Sequence, residues 1–550
     1  MIARRPIVLA VSFLLLAAGA ASAAGTRQAC SAACTAAAPG SGPLFVVTGH
    51  GWGHGVGLSQ YGAYGYARHG WTYDQIVLHY YPGTSLGPAP LSRVRVLLAD
   101  ARPKLSVSSA SDFKVRDGSG RVTPLPAGPY SFGPRLKLKI GAAAPAALQP
   151  PLTFLAGAAP FELGGRSYRG SLLVDVVDGK LRAIDEVGLE QYLYGVVPSE
   201  MPSSWAPEAL KAQAVVARSY ALATRRIAAP FDLYADTRSQ VYLGIEHERP
   251  STNAAVGATA GEVVLYGGQV ARTYFYSTSG GRTANGADVW GTATPYLVSV
   301  PDPYDAISPY HDWGPVVFTG AKLAKTFHVP GQVTDVRTLL NASGRVTTVS
   351  LLGTPSEDDL PAARVRAALK LRSTWFDVGV LSLFRPSPAP PVEFGSVVQL
   401  SGLARGIAQI ALEQRPAGAG WQPVGPVSAG ADGTVALSAR PSVTTDYRLS
   451  TPSVATAAVH VTVAPRLRFS GQKTPNELRG LVRPVLAGAP LEIQRQNATG
   501  TWTTVAKTNV DANGNFDTAL QLSSGVYRAR VAATRGLAAG TTPTLRVVAG

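Results

Sequence analysis

Two stretches of the sequence combine residue types that can bind and transform polar ligands. The first, residues 46–84, contains the run GHGWGHGVGLSQYGA, in which alternating glycines let the backbone approach another segment or a ligand closely. The second, residues 190–291, contains Glu200, whose sequence neighbours include the apolar Val197 and Met201. A carboxyl group in partly apolar surroundings has a raised pKa and is suited to proton transfer near neutral pH.

Further candidates for ligand contact surround these stretches. Gln213 and Tyr220 are seven apart and share a helix face, and Tyr274, Ser277 and Ser279 are expected on one face of a strand. In the glycine run, the expected contacts at a groove or in packing are His54, Ser59 and Gln60. Asp288 either orients Glu200 or a ligand, or forms a turn after Gly286.

Neither a metal nor another cofactor is expected. His50 and His54 are four apart, a spacing that suits metal ligands on a helix, but the intervening glycines argue against a helix. The sequence has only two cysteines, Cys30 and Cys34, which close a small loop or remain two free thiols.

The elements that must position these residues suggest an α+β domain over residues 90–380. Strand patterns occur at 171–177, 262–266 and 272–277. Between them, Pro207 begins a segment in which Leu210, Ala214, Ala217 and Ala221 form an apolar helical stripe. Residues 46–84 are too short and too glycine-rich to bury a core alone, so this block is expected to dock on the 90–380 domain.

An internal repeat indicates two further all-β units after a Pro-rich linker at 384–391. Trp421 matches Trp502 at an offset of 81, and each unit alternates apolar and polar residues around an Asp-Gly or Asn-Gly turn. Two immunoglobulin-like sandwiches, 392–465 and 466–550, are predicted, with the repeated Trp and Tyr side chains in their cores. The linker predicts a boundary that few contacts cross, so that residues 392–550 are removable.

Composition and the N-terminus narrow the location and the partners. Residues 1–24 have a basic start, a short apolar run and an Ala-Ser-Ala site, which predicts a secretory signal peptide; 25–43 reads as a disordered linker. The mature chain is then expected to be secreted or wall-associated and not to span the membrane. Its net charge of +16 suits an anionic envelope polymer, whereas nucleic acid is excluded by the compartment. The 46% of hydrophobic residues excludes global disorder.

Several motifs in order resemble the SpoIID/LytB family of bacterial cell-wall proteins. They are YLYGVVPSEMP, EALKAQAVVARSYAL, DTRSQVYLG, YSTSGGRTAN, VWGTATPYLVSV and VRAALKLRSTWFDV, within about residues 190–378, together with the block at 46–84. The resemblance implies peptidoglycan glycan strands as substrate. One branch of the family comprises lytic transglycosylases, and another is described as an enhancer of N-acetylmuramoyl-L-alanine amidase, which makes an amidase a candidate partner.

The resemblance singles out Glu200 as the catalytic residue. A lytic transglycosylase needs one acid/base, because the 6-hydroxyl of the muramic acid attacks the anomeric carbon and yields a 1,6-anhydro end. The alternative is that Glu200 caps a helix that starts near Trp205. Two features depart from the family: the glycine block precedes the domain instead of closing it, and the stretch at 234–240 lacks the cysteines that some relatives place near a zinc site.

Overall fold

The computed structural model describes residues 42–142, 144–353, 356–386, 389–471 and 477–548, and it has a mixed α+β architecture. The predicted signal peptide, nearly all of the 25–43 segment and both cysteines lie outside these residues. The α-helices in the described part are α1 Gln60–Arg68, α2 Tyr73–Tyr80, α3 Leu189–Glu200, α4 Pro207–Ala223, α5 Pro250–Ala258, α6 Gly286–Trp290, α7 Gly320–Phe327 and α8 Ala362–Leu369. Short 3₁₀ turns cover Ile245–His247 and Pro303–Ile307.

Strands occur throughout the described chain. As far as residue 384 they are β1 Leu44–His50, β2 Leu58–Ser59, β3 Ser85–Pro88, β4 Arg93–Arg102, β5 Leu105–Ser109, β6 Phe113–Arg116, β7 Val122–Leu125, β8 Gly128–Phe132, β9 Lys137–Leu138, β10 Ala146–Ala147, β11 Leu152–Leu155, β12 Phe161–Leu163, β13 Arg166–Tyr168, β14 Ser171–Val177, β15 Lys180–Gly188, β16 Leu233–Tyr234, β17 Glu262–Tyr266, β18 Gln269–Val270, β19 Phe275–Tyr276, β20 Asp312–Thr319, β21 Val333–Leu340, β22 Val346–Gly353, β23 Glu357–Pro361 and β24 Phe376–Phe384.

The strands after residue 391 belong to the repeat region. They are β25 Val392–Glu393, β26 Val398–Arg405, β27 Ala411–Pro416, β28 Gln422–Pro426, β29 Thr434–Ala439, β30 Thr445–Ser450, β31 Val459–Val461, β32 Val463–Ala464, β33 Arg466–Gly471, β34 Glu477–Arg483, β35 Pro490–Gln496, β36 Trp502–Asn509, β37 Asn515–Ala519, β38 Gly525–Val531, β39 Gly540–Thr541 and β40 Leu545–Val547.

Helix α4 is the central element of the helical region. Pro207 occupies its first turn, where a missing N–H costs nothing, and most of its side chains are buried. One side packs Ala214 and Ala217 into the core under the seven-stranded sheet β16-β4-β15-β14-β11-β6-β7. The other side packs Val215 and Val216 against a cluster that contains residues of α1 and α2. A helix that is apolar on nearly all sides is a buried helix, which fits its place between two cores.

The glycine-rich block is part of the same fold as the residues that follow it. Strand β1 lies between β20 and β24 in the five-stranded antiparallel sheet β20-β1-β24-β26-β29. Strand β2 pairs in parallel with β19, and β3 pairs with β17. The chain order of the block therefore differs from its place in space, because non-sequential strand pairing brings residues 46–84 back onto the later segments.

The repeat region is joined to the preceding domain by this same sheet. Strand β26 pairs with β24 across the Pro-rich segment, and the apolar Val46 and Leu381 lie in one core with Leu400. Arg405 also forms an ion pair with Asp335. The expectation that few contacts cross residues 384–391 is therefore wrong, because strand pairing and a common core both cross them.

Each repeat places two sheets around one apolar core. In the second repeat the sheets are β33-β34-β37 and β36-β35-β38, the latter extended by β39 and β40. Tyr447 and Tyr527 are buried in the two cores as predicted. Trp421 and Trp502 are instead partly exposed. Arg448 lies 4.0 Å over the Trp421 ring and Arg528 lies 4.2 Å over the Trp502 ring. The immunoglobulin-like topology stays a prediction.

Among the residues that the structure describes, no helix combines the length and apolar character needed to cross a bilayer.

The shared sheet predicts how the chain responds to truncation. A chain that ends at residue 385 loses the strand that covers β24 and exposes Val46 and Leu381 to water. We expect it to unfold at a lower temperature and to aggregate through the open strand edge. A chain that ends at residue 465 keeps that sheet and is the control. Equal thermal unfolding and equal hydrogen exchange in β24 for both chains would contradict the prediction.

Candidate functional site

Glu200 is the last residue of α3. The helix ends there because Met201 is extended and precedes Pro202, and a residue before proline is disfavoured in the helical conformation. Helix α4 begins only at Pro207, and its N-cap is Ala206. The alternative that Glu200 caps the helix near Trp205 is therefore wrong. The side chain of Glu200 is therefore not used as a helix cap.

The surroundings of Glu200 favour its protonated form. The residue is partly buried, and burial raises the pKa of its carboxyl group to about 7. A hydrogen bond from the backbone of Val241 favours the charged form but does not offset the burial. The C-terminal end of a helix also disfavours a negative charge. Both protonation states are thus accessible near neutral pH, as an acid/base requires.

Two tyrosines interact with this carboxyl group, and buried amide side chains lie along the same part of α4. Tyr192 and Tyr220 both interact electrostatically with Glu200, and the Tyr192 hydroxyl lies 3.2 Å from Oε1 of Gln240. Gln240 in turn donates to the carbonyl of Ala217 on α4. Gln213, one turn before Ala217, is fully buried, and neither of its amide atoms has a partner among the described residues.

Partly exposed aromatic rings continue from Tyr220. Its ring centroid lies 5.8 Å from that of Tyr274, which lies 4.3 Å from that of Trp290. Trp290 lies 5.4 Å from His54 and is 43% exposed. Tyr220, Tyr274, Trp290 and His54 are called the aromatic wall below. Such a surface offers flat apolar faces next to an ionisable carboxyl group.

The glycine-rich block is attached directly to the helix end that carries Glu200. Nε2 of Gln60 donates to the backbone carbonyl of Glu200 at 2.9 Å. Upstream, the backbone N–H of Leu58 donates to the carbonyl of Tyr274. Gly57 permits this approach, since its φ is +77° and a Cβ there would lie 2.1 Å from the Tyr274 carbonyl oxygen. Gln60 thus positions Glu200, and its side chain is mostly buried.

His54 is held as a neutral ring. The N–H of Val56 donates to Nδ1, which leaves Nε2 to donate to the carbonyl of Phe275 at 3.1 Å. Burial and the nearby Arg366 lower its pKa to about 3. Both ring nitrogens are occupied by backbone groups, so His54 contributes packing and a ring edge to the aromatic wall. His50, its partner in the sequence spacing, contacts Asp312 instead.

The three serines among the candidates do not line the surface at Glu200. Ser59 is fully buried, accepts from Gly62 at the start of α1 and donates to Asp305. Ser279 is fully buried and its N–H donates to Asp305, while Ser277 is mostly buried beside Thr278. Tyr274 also lies before, and the two serines after, the short strand β19. The expected common face of these residues is therefore not formed.

Asp288 is a local structural residue. Its Oδ2 accepts from Asn285 and from the Ser343 hydroxyl, within and beside the short helix α6. The turn expected after Gly286 is not formed, because Asp288 lies within a helix. None of these bonds reaches Glu200.

Sequence reasoning missed Asp305, the anchor of the buried polar layer. It is fully buried and accepts hydrogen bonds from four groups: Ser59 Oγ, the N–H of Ser279, the N–H of Gly280 and Nδ1 of His311. Sequence gave no periodic signal for this residue, because it lies in a 3₁₀ turn whose role depends on distant segments. Within the part of the chain described, no three His, Cys, Asp or Glu residues are grouped to hold a metal.

The comparisons with known proteins agree with the motifs. Residues 177–266 match the family model described as SpoIID, Stage II sporulation protein. Stage II sporulation protein D of Bacillus subtilis is 35% identical over 145 residues, which cover 23% of this chain and 42% of that protein. The amidase enhancer of the same organism is 40% identical over 114 residues, or 20% of this chain and 15% of that protein.

A third relative, an uncharacterised protein of Brachyspira hyodysenteriae, is 41% identical over 143 residues, covering 26% of this chain and 39% of that protein. Among solved structures, the human OSCAR ligand-binding domain aligns with 30% of the chain at 12% identity and a TM-score of 0.13, too low to carry an inference. The chain spans less than half the length of these curated relatives. The part of the chain that contains Glu200 is therefore similar to the SpoIID family.

The raised pKa of Glu200 predicts a specific dependence on pH. The folded-state pKa, about 7, lies above the ordinary value of 4.5. At low pH the carboxyl group is therefore neutral, and its burial does not lower the free energy of unfolding through ionisation. Stability should then fall as the pH rises from about 4.5 to about 7. Glu200→Gln should remove this decline, and a ¹³C carboxyl signal that titrates near pH 7 should disappear.

Glu208→Gln is the matched control for that experiment. Glu208 lies at the start of α4, where it pairs with Lys211, so the variant should retain both the signal and the decline. A wild-type spectrum in which every glutamate titrates near 4.5 would contradict the proposed environment of Glu200.

The close backbone approach at Gly57 predicts a second result. Gly57→Ala must displace the Tyr274 carbonyl, whereas Gly83, at the same φ of +77°, has nothing within 4 Å of its Cβ position. We expect Gly83→Ala to lower the free energy of unfolding by only the strain of the left-handed conformation, about 1 kcal/mol. Gly57→Ala should lower the free energy of unfolding, measured with urea, by clearly more. Equal losses would show that the approach at Gly57 does not stabilise the block.

Proposed function

We propose that this chain is a secreted, peptidoglycan-active protein and that its domain is a lytic transglycosylase of MurNAc–GlcNAc bonds. The observation that carries the proposal is Glu200: a single, partly buried carboxyl group with a pKa near 7, next to the aromatic wall. The match of residues 177–266 to the SpoIID family model supports the substrate class. The predicted signal peptide and the net charge of +16 support a location at an anionic cell wall.

In the proposed reaction Glu200 acts twice. Its protonated carboxyl group first donates the proton to the glycosidic oxygen, and the bond between that oxygen and the anomeric carbon of the muramic acid breaks. The resulting carboxylate then accepts the proton of the muramic 6-hydroxyl while O6 forms a bond to the same anomeric carbon. Glu200 ends protonated, no water is consumed, and the products are a 1,6-anhydro end and a new non-reducing end.

The electrostatics of Glu200 favour this scheme over hydrolysis by two carboxyl groups. The pKa of Glu200 is shifted by burial and by the Val241 backbone, and no other carboxylate of the described residues contributes to the shift. Hydrolytic glycosidases pair the acid with a second carboxylate about 5–10 Å away, which would perturb it. An internal nucleophile makes the second carboxylate unnecessary.

The aromatic wall supplies the contacts that a glycan requires. Tyr274 and Trp290 present partly exposed rings that can pack on the apolar faces of sugar residues. Tyr220 adds a hydroxyl group, and burial raises its pKa to about 12, so it remains a hydrogen-bond donor. These contacts hold the strand while Glu200 transfers the proton.

A second candidate function is that of a non-catalytic glycan-binding protein that stimulates an amidase. The similarity to the amidase enhancer of Bacillus subtilis favours it. In that case the aromatic wall binds the glycan and an amidase is the partner. The two functions differ in the covalent state of the glycan after incubation.

Mass spectrometry of purified glycan strands tests the proposal. We expect 1,6-anhydro-muramyl ends with the wild-type protein. Glu200→Gln keeps the size of the side chain and removes the titrating proton, so turnover should fall about 100-fold or more. Glu208→Gln should retain activity per folded molecule.

The other outcomes contradict the mechanism. Wild-type turnover by Glu200→Gln would exclude Glu200 as acid/base. New reducing ends would indicate hydrolysis. Intact strands with both proteins, combined with faster cleavage by an added amidase, would favour the enhancer.

A further inference from the structure

A second cavity with binding chemistry lies on the face formed by the glycine-rich block and the segment after α8. Its volume is about 480 Å³, in the range of small-ligand sites. The residues that line it are Trp52, Pro309, Tyr310, Asp312, Trp313, Gly314, Val316, Lys370, Leu371 and Arg372. The sequence singles out none of them as a site residue, although Trp52 and residues 370–372 lie in motifs of the family resemblance; the family match at 177–266 does not reach them.

Aromatic rings and an arginine are arranged together at this cavity. The rings of Trp52 and Tyr310 meet edge to face, with centroids 4.5 Å apart. The guanidinium carbon of Arg372 lies 4.6 Å from the Trp52 centroid and 4.4 Å from that of Tyr310. Contacts with two rings restrict the position of the guanidinium group before any ligand binds, which reduces the entropy lost on binding.

The charges of the cavity leave it suited to an anion. No carboxylate of the described residues pairs with Arg372 or with the exposed Lys370. The carboxylate on the rim, Asp312, is engaged by His50 at 2.6 Å. Two cations and flat rings fit a carboxylate carried on a ring-shaped or short apolar group.

Partly exposed aromatic residues connect this cavity with Glu200. Next to Gln60, which binds the carbonyl of Glu200, Tyr61 contacts Trp205 with ring centroids 4.7 Å apart. Tyr61 also interacts electrostatically with Tyr310, a residue of the cavity. An extended strand at Glu200 can therefore follow this aromatic path into the cavity.

We propose that the cavity binds a carboxylate of the same glycan strand that is cleaved at Glu200. The inference rests on the proposed function and adds a subsite that distinguishes carboxylate-bearing muramic units from neutral amino sugars. The carboxylate pairs with Arg372, the sugar or side chain packs on Trp52 and Tyr310, and Lys370 adds charge at the rim. The carboxylate comes from the lactyl group of bare muramic acid or from an attached peptide.

Calorimetric titration with defined ligands tests the subsite. The probes are the disaccharide of N-acetylglucosamine and N-acetylmuramic acid, the same disaccharide with an attached peptide, and chitobiose, which lacks a carboxylate. We expect at least one muramyl probe to bind about tenfold or more tightly than chitobiose, as a charge-assisted hydrogen-bonded pair allows. Preference for the bare or the substituted disaccharide identifies the source of the carboxylate.

Arg372→Gln should abolish this preference and leave chitobiose binding unchanged, and Lys370→Gln should reduce the preference less. Arg528→Gln is the matched control, since Arg528 also lies over a tryptophan, Trp502, but in the second repeat. Equal binding of all three probes to the wild type, or an unchanged preference in a folded Arg372→Gln protein, would overturn the proposal. If Arg372→Gln proves unfolded, an unchanged preference in Lys370→Gln would overturn it.

The Glu200→Gln protein separates this inference from the proposed function. It should retain the preference for the muramyl probes while it loses turnover. If the wild type makes no anhydro ends but keeps an Arg372-dependent preference, the catalytic proposal fails and the subsite stands. If the wild type makes anhydro products but shows no preference for the muramyl probes, the catalytic proposal stands and the subsite fails.

Discussion

The close contact between the glycine-rich block and the segment at 274–279 is the constraint on which the site depends. Trp52 and Thr278 exchange backbone hydrogen bonds, and Leu58 pairs with Phe275. Glycine is needed here because side chains would occupy the space of the opposing backbone: a Cβ at Gly57 would lie 2.1 Å from the Tyr274 carbonyl oxygen. Asp305 accepts hydrogen bonds from both segments, from the hydroxyl group of Ser59 and from the N–H of Ser279. Without this contact Gln60 would not reach Glu200.

The glycine-rich block contacts the helix end that carries an ionisable residue, Glu200. Burial raises the pKa of the Glu200 carboxyl group to about 7, and the Gln60 bond holds the backbone that carries it. Burial, which would destabilise a charged group, here supplies the proton affinity that acid/base chemistry needs. The glycines therefore allow the packing that places Gln60 against the Glu200 backbone.

Local patterns predicted much of the fold, and long-range contacts account for what they missed. Strands 171–177 and 262–266 have the predicted bounds, and the stripe from Leu210 to Ala221 is helical, because periodicity is a property of neighbouring residues. The motif singles out Glu200, which the structure places at the end of α3 with a raised pKa. The continuation of one sheet from β24 into β26 was missed, since a Pro-rich segment gives no sign of what pairs across it. Asp305 was missed because its hydrogen-bond partners come from segments that are distant in the sequence.

The residues that match the SpoIID family model do not include the whole candidate site, so the family match covers only part of that site. Residues 177–266 contain Glu200 and Tyr220, but the aromatic wall also requires Tyr274, Trp290 and His54. His54 precedes the matched region by more than a hundred residues and reaches the site only because strand pairing ignores chain order. The position of the glycine-rich block in the sequence therefore does not prevent it from contacting residues of the matched region. What must be kept is the set of backbone contacts, and these depend on the spacing of glycines within the block and not on where the block occurs in the chain.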